Sequence, residues 1–178
     1  MLHPFQAISV GNYMLIFLSL LVLTILLTAV LSAIPLKPGI VKFELAGSTS
    51  KAREIISSWG AAGQIRAAFN LGLDFLYLVV YSTTIGVACI WAANVLQAHG
   101  LPLASVGILL AWGQWLAALL DVVENIALAI ILFGSVTDPW PQIAKWCAIP
   151  KFGLVLLGLL YAGVGGFVQL GSTLFQSI

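Results

Sequence analysis

Asp121, Glu124 and Asn125 stand at i, i+3 and i+4 inside a stretch otherwise apolar enough to cross a bilayer, and Asp74 stands in the apolar stretch before it. A charged group in hydrocarbon costs roughly 2.5–3.5 kcal/mol even on the lenient insertion scale, so it persists only beside a partner, water or a ligand. Two chemistries follow from these types. Desolvated carboxyl groups hold a proton near neutral pH and can act as general acid or base, and Asp121 and Glu124, one helical turn apart, are placed to share one. The same groups, ionised, can bind a cationic or hydrogen-bond-donating ligand. Lys151, at the start of the last apolar stretch, supplies one positive partner, and Arg66, at the start of the second, a further one.

Helical phase gathers polar residues onto faces. Arg66, Asn70, Asp74, Tyr77, Tyr81 and Thr84 recur at helical spacing on one side of the second stretch. Gln114, Ala117, Ala118, Asp121, Glu124 and Asn125 share a face of the third, and Lys151, Gly158, Tyr161, Ala162, Gly165 and Gln169 a face of the fourth. Thr24, Thr28 and Ser32 form a weaker stripe on the first, and Gly158, Ala162 and Gly166 have the small-xxx-small spacing that lets membrane helices approach closely. The expected ligand-binding set is Asn70, Asp74, Tyr77, Tyr81, Asp121, Glu124, Asn125 and Lys151. Its catalytic use, if any, is not specified by the residues, no metal ligand set stands out, and the cofactor, if any, is unknown. A structural alternative stays open: Asp74 paired with Lys151 or Arg66 as a clamp between helices, with Asn125 and the tyrosines as packing groups. The surplus of acids over bases favours a binding site, since a clamp needs one acid per base.

The elements that must position these residues follow from composition. The chain has 178 residues, 61% hydrophobic and only 7% charged, with mean hydropathy +1.11. A soluble domain carries about 25% charged residues, so this is an all-α membrane protein. A core of roughly 30 Å takes about 20 apolar residues, and four stretches suffice, at about 11–34, 66–97, 104–133 and 144–172. We expect one four-transmembrane-helix bundle over residues 1–178, with a cytoplasmic loop at 35–63 and Pro150 kinking the fourth span or marking a short helix before it. The first apolar run exceeds the roughly 7–15 residues of a signal-peptide core, and no Lys or Arg precedes it, so it reads as a retained span.

Within the loop, Ser48, Thr49 and Ser50 offer N-caps for a helix through Lys51–Trp59. Ala52, Ile55, Ile56 and Trp59 make one apolar face opposite Lys51, Arg53 and Glu54, which suits an amphipathic helix in the membrane interface or one docked on the bundle. All seven basic residues (Lys37, Lys42, Lys51, Arg53, Arg66, Lys145 and Lys151) belong to the first loop, the third loop or the helix ends beside them. The positive-inside rule then puts both termini on the non-cytoplasmic side of the inner membrane, with Trp140 and Trp146 as anchors at the cytoplasmic ends. On that topology Asp74, Asp121, Glu124 and Lys151 fall within a band of roughly 10–15 Å in the cytoplasmic half.

The segments Val41–Ser48 (VKFELAGS), Leu71–Ser82 (LGLDFLYLVVYS), Asp121–Leu128 (DVVENIAL) and Lys151–Tyr161 (KFGLVLLGLLY) resemble a family of small uncharacterised bacterial four-helix integral membrane proteins. The resemblance implies the four-span architecture and no chemistry. Several classes are excluded by the residues themselves. His3 and His99 lie outside the spans and read as surface residues, which removes an intramembrane bis-histidine haem; Cys89 and Cys147 lack CxxC spacing and read as free thiols; the basic residues are too few and dispersed for nucleic acid. No HExxH, GxGD or Ser–His arrangement occurs in the spans. Four readings remain: a binding or accessory module for a cationic or amphiphilic small molecule or lipid; a membrane enzyme using Asp121 or Glu124 as general acid or base; a proton- or cation-coupled transporter working as an oligomer; and a structural subunit of a larger membrane complex. The bilayer is the expected partner in each.

Overall fold

The computed structural model describes residues 3–7 and 10–176, and its elements are a 3-10 turn at Pro4–Ala7 followed by five α-helices. They are α1 (Val10–Ala33), α2 (Ile40–Glu44), α3 (Thr49–Ala98), α4 (Ala104–Phe133) and α5 (Trp140–Gln176), with no strand among the described residues. Helices α1, α3, α4 and α5 are each long and apolar enough to cross a membrane. Large side chains that a water-soluble protein would bury are exposed, among them Phe167 at 79%, Phe133 at 73% and Leu15 at 69%. A surface so apolar suits a membrane environment.

Helices α3, α4 and α5 pack pairwise on one another, whereas among the described residues α1 packs on α3 alone. Small residues set these contacts. A Cβ on Gly107 of α4 would meet the Cys89 carbonyl oxygen at 2.7 Å and Ala93 Cβ at 2.8 Å, and a Cβ on Gly165 of α5 would meet Ala92 Cα of α3 at 2.7 Å. The small residues of α5 that matter are therefore Gly158 and Gly165, two turns apart. Gly166, which the spacing pairs with Gly158 and Ala162, has nothing within 4 Å. The expected stripe drifts off the contact because 3.6 residues per turn does not keep i+4 steps on one line.

The region expected as a loop at 35–63 is largely helical. The short α2 packs against α3, α4 and α5 at the end of the molecule where the basic residues gather. Its Phe43 is 1% exposed and meets the Trp59 ring at 5.1 Å, edge to face. Helix α3 begins at Thr49 with Ser48 Oγ accepting from the Lys51 amide at 3.4 Å, as the capping residues predict. It is interrupted at Gly60, whose φ of 59° and ψ of −176° only glycine adopts readily. The predicted amphipathic helix is thus the segment before this break. Ala52 and Trp59 are buried, and Ile55 and Ile56 pack against the same apolar cluster, as in the docked alternative.

Helix α5 starts at Trp140, earlier than the expected 144, and runs continuously through Pro150. The missing amide of Pro150 costs one hydrogen bond to the carbonyl four residues back, and packing on α3 and α4 keeps the helix in place. His3 departs from the expectation of a surface histidine. It is 1% exposed, with its ring 4.5–4.9 Å from those of Phe5, Trp112 and Trp115, and burial lowers its pKa below 6.5. The aromatic residues of α4 that cover it gave no periodic signal toward an N-terminal tail. His99 is exposed, as expected.

Candidate functional site

The predicted polar faces of α3, α4 and α5 turn largely toward their neighbours, whereas Arg66 on α3 and Thr28 and Ser32 on α1 are exposed. On α4, Gln114, Ala117, Asp121, Glu124 and Asn125 are buried, with Ala118 half-buried beside them. On α3, Asn70, Tyr81 and Thr84 are buried, and Asp74 and Tyr77 half-buried; Lys151 is buried on α5. The three helices meet at the Lys151 ammonium. Its Nζ lies 2.8 Å from Glu124 Oε2 and 3.0 Å from Asp121 Oδ1, and 3.9 Å from Oε2 of Glu44 on α2. The other Asp121 oxygen accepts from the Tyr81 hydroxyl at 3.0 Å, and Asn125 Nδ2 donates to Asp74 Oδ2 at 2.6 Å. Four of the eight expected residues (Tyr81, Asp121, Glu124 and Lys151) thus belong to one network of charge-assisted contacts, and Asp74 and Asn125 form a separate pair. Tyr77 joins through its ring, 5.2 Å from that of Tyr81, and accepts from Thr28 Oγ1 of α1 at 3.1 Å. Asn70 donates instead to the Leu31 carbonyl of α1 at 3.4 Å.

Two expectations are corrected here. Arg66 is exposed and donates from Nη1 to the Pro35 carbonyl at 3.5 Å, so it is no partner for Asp74. Asp121 and Glu124 do not face each other across a shared proton, because Lys151 reaches both. The acid that joins this group from outside the spans is Glu44, its Oε2 3.9 Å from the Lys151 ammonium. Glu44 was not among the expected residues because a search for acids inside apolar spans passes over a loop. A signal was present: in Ile40–Glu44 three of five residues are large and apolar, so a short segment of that kind must dock, and it carries its acid in with it.

Three of the chain's six acids, Glu44, Asp121 and Glu124, therefore lie within 4 Å of one ammonium, and a fourth, Asp74, borders the same cavity. Burial pushes the Glu44 carboxyl above its ordinary 4.5, and the nearby Lys151 charge opposes this.

Beside this network lies a cavity of about 600 Å³ between α1, α2, α3 and α5. Glu44, Asp74, Asp121 and Lys151 form its charged end, and Asn70, Tyr77 and Tyr81 continue it along α3. Glu124 and Asn125 do not border it; they stand behind, holding Lys151 and Asp74. The remaining wall is aliphatic and hydroxylic: Leu21, Thr24, Thr28 and Leu31 from α1, and Val155 and Leu159 from α5. The weak Thr24–Thr28–Ser32 stripe of α1 lines it, with Thr24 and Thr84 hydroxyls 2.8 Å apart. Among the described residues the backbones of α1 and α5 do not approach each other closely, which leaves a gap in this wall. The arrangement can hold a molecule with a polar head and an apolar body, or exchange a proton with it. Among the described residues no cluster of His, Cys, Asp and Glu has the geometry to hold a metal ion. No family model, curated protein or solved structure matches the chain.

Proposed function

We propose that the chain is a four-helix bundle of the inner membrane that binds an amphiphile, its cationic or hydrogen-bond-donating head against Glu44, Asp74 and Asp121 and its apolar tail between α1 and α5. The observation that carries this reading is the cavity of about 600 Å³, acidic at one end and aliphatic along the rest. That volume lies within the roughly 300–1,000 Å³ usual for small-molecule sites. The charged end holds more acid than Lys151 can neutralise, and a cationic head would supply the missing charge. The gap between α1 and α5 is a lateral route by which a lipid-soluble molecule would reach it without crossing water. The seven basic residues support an orientation with both termini on the non-cytoplasmic side, which puts the acids in the cytoplasmic half. Resemblance to small bacterial four-helix membrane proteins fits the same architecture.

An enzymatic reading has one observation in its favour. Asp121 borders the cavity and is gripped by Tyr81 and Lys151, as a positioned acid or base would be. Glu124 would then support Lys151 rather than touch substrate.

The test uses the purified protein in neutral detergent with dodecylamine and dodecanol, probes of equal chain length and different head. Dodecylamine is expected to raise the Tm of the wild type more than dodecanol does, and the double variant Glu44→Gln/Asp74→Asn to lose that difference. Equal responses of the wild type to the two probes would sink the reading.

A further inference from the structure

A second cavity, of about 300 Å³, lies at the basic end between the α1–α2 connection and α3, and it differs in sign from the first. Lys37 and Arg66 line it together with Ser58, and no acid does. Both cations are exposed, and neither forms an ion pair among the described residues, where every such pair belongs to Lys151. Two unpaired like charges converging on one concavity repel each other unless an anion lies between them.

The cavity is built rather than incidental. The Gly60 break turns α3 so that Trp59 and Gly63 form one wall. The Trp59 indole is fixed by its Nε1–H, which donates to the Pro38 carbonyl at 2.7 Å. Gly63 must stay small, because a Cβ there would meet Trp59 Cβ at 2.7 Å. Arg66 spends one N–H on the Pro35 carbonyl at 3.5 Å, which steadies the guanidinium and leaves the rest of its five donors.

We infer that the Lys37–Arg66 cavity is a phosphate-binding site. A guanidinium fork beside an ammonium point charge suits phosphate oxygens. At about 30 Å³ per water the space equals roughly ten waters, enough for a phosphate and its first substituent atoms but not for an acyl chain. Trp59 and the clustered basic residues belong to the depth at which lipid headgroups lie. The source of the phosphate is a lipid headgroup or a soluble phosphate, and the experiment separates them. The site does not depend on what fills the acid-lined cavity.

Native mass spectrometry of the full chain in detergent, with phosphatidic acid or diacylglycerol of the same acyl chains, tests it. The wild type is expected to retain phosphatidic acid and not diacylglycerol, and Lys37→Gln/Arg66→Gln to weaken that retention about tenfold or more. Lys42→Gln/Lys51→Gln, which removes equal charge outside the cavity, is the control and should bind as wild type does. An equal loss in both double variants, or equal retention of the two lipids, would overturn the assignment. Unchanged helicity and Tm in the variants keep misfolding apart from lost binding. Competition with millimolar inorganic phosphate distinguishes the sources: displacement of the lipid supports a soluble phosphate, and persistence supports the headgroup.

Discussion

The Lys151 ammonium lies within 3.0 Å of both Asp121 and Glu124, all three side chains being buried, so its removal and the removal of one partner are unequal changes. Lys151→Met strips the acids of their only cation and should cost roughly 3–5 kcal/mol, the range for breaking a buried pair. Glu124→Gln leaves Lys151 on Asp121 and removes one surplus acid, so its cost should stay below about 1.5 kcal/mol. Equilibrium unfolding in detergent would measure both, and comparable losses would contradict the network. Glu44 adds a pH dependence. Its folded-state carboxyl is pushed above 4.5 chiefly by burial, so its contribution to stability is complete below that value and is lost as pH rises through the raised one. The Tm should therefore fall with rising pH above the carboxylate range, and Glu44→Gln should flatten the slope; an identical slope in the variant would remove Glu44 from the account. Asp74, Asp121, Glu124 and Lys151 were legible in the sequence because each stands out against an apolar run. Glu44 was not, since only the docking of α2 takes a loop acid out of water.

At the scale of elements, period was the readable quantity and contact was not. The polar faces of α3 and α4 follow from 3.6-residue spacing and face their neighbours as that spacing requires. Which glycines touch a partner is fixed by where helices cross: Gly165, on the predicted face of α5, makes the contact, while Gly166, from the small-xxx-small spacing, does not. Gly165→Leu should thus overpack the α3–α5 contact and cost roughly 1–3 kcal/mol, while Gly166→Leu should be tolerated. Thermal unfolding of the two variants decides this, and equal destabilisation would mean that α5 is rotated from the orientation described. The Gly60 break falls where the sequence ends the loop helix at Trp59, but spacing did not show that helix resumes after this single glycine instead of after a loop. Its consequence is functional, because the turn there shapes the wall of the Lys37–Arg66 cavity.

For the molecule as a whole, the distribution of charge and the direction of the helices are one problem. The C-terminus of α1, the start of α3, the end of α4 and the start of α5 lie at a common end, and that end holds all seven basic residues. Translocation of such an end across the membrane is disfavoured, whereas the α3–α4 connection, with no Lys or Arg, crosses freely. The acid network stands near the same end, so the proposed orientation also decides from which aqueous side its protons exchange. Single cysteines in a Cys89→Ala/Cys147→Ala background would test it, since both His99 and Ser135 are exposed and lie at opposite ends. A membrane-impermeant maleimide should label His99→Cys in spheroplasts, and Ser135→Cys only after the membrane is permeabilised. The reverse pattern would place the acids and the phosphate cavity near the outer leaflet, and both binding proposals would then need ligands supplied from outside the cell.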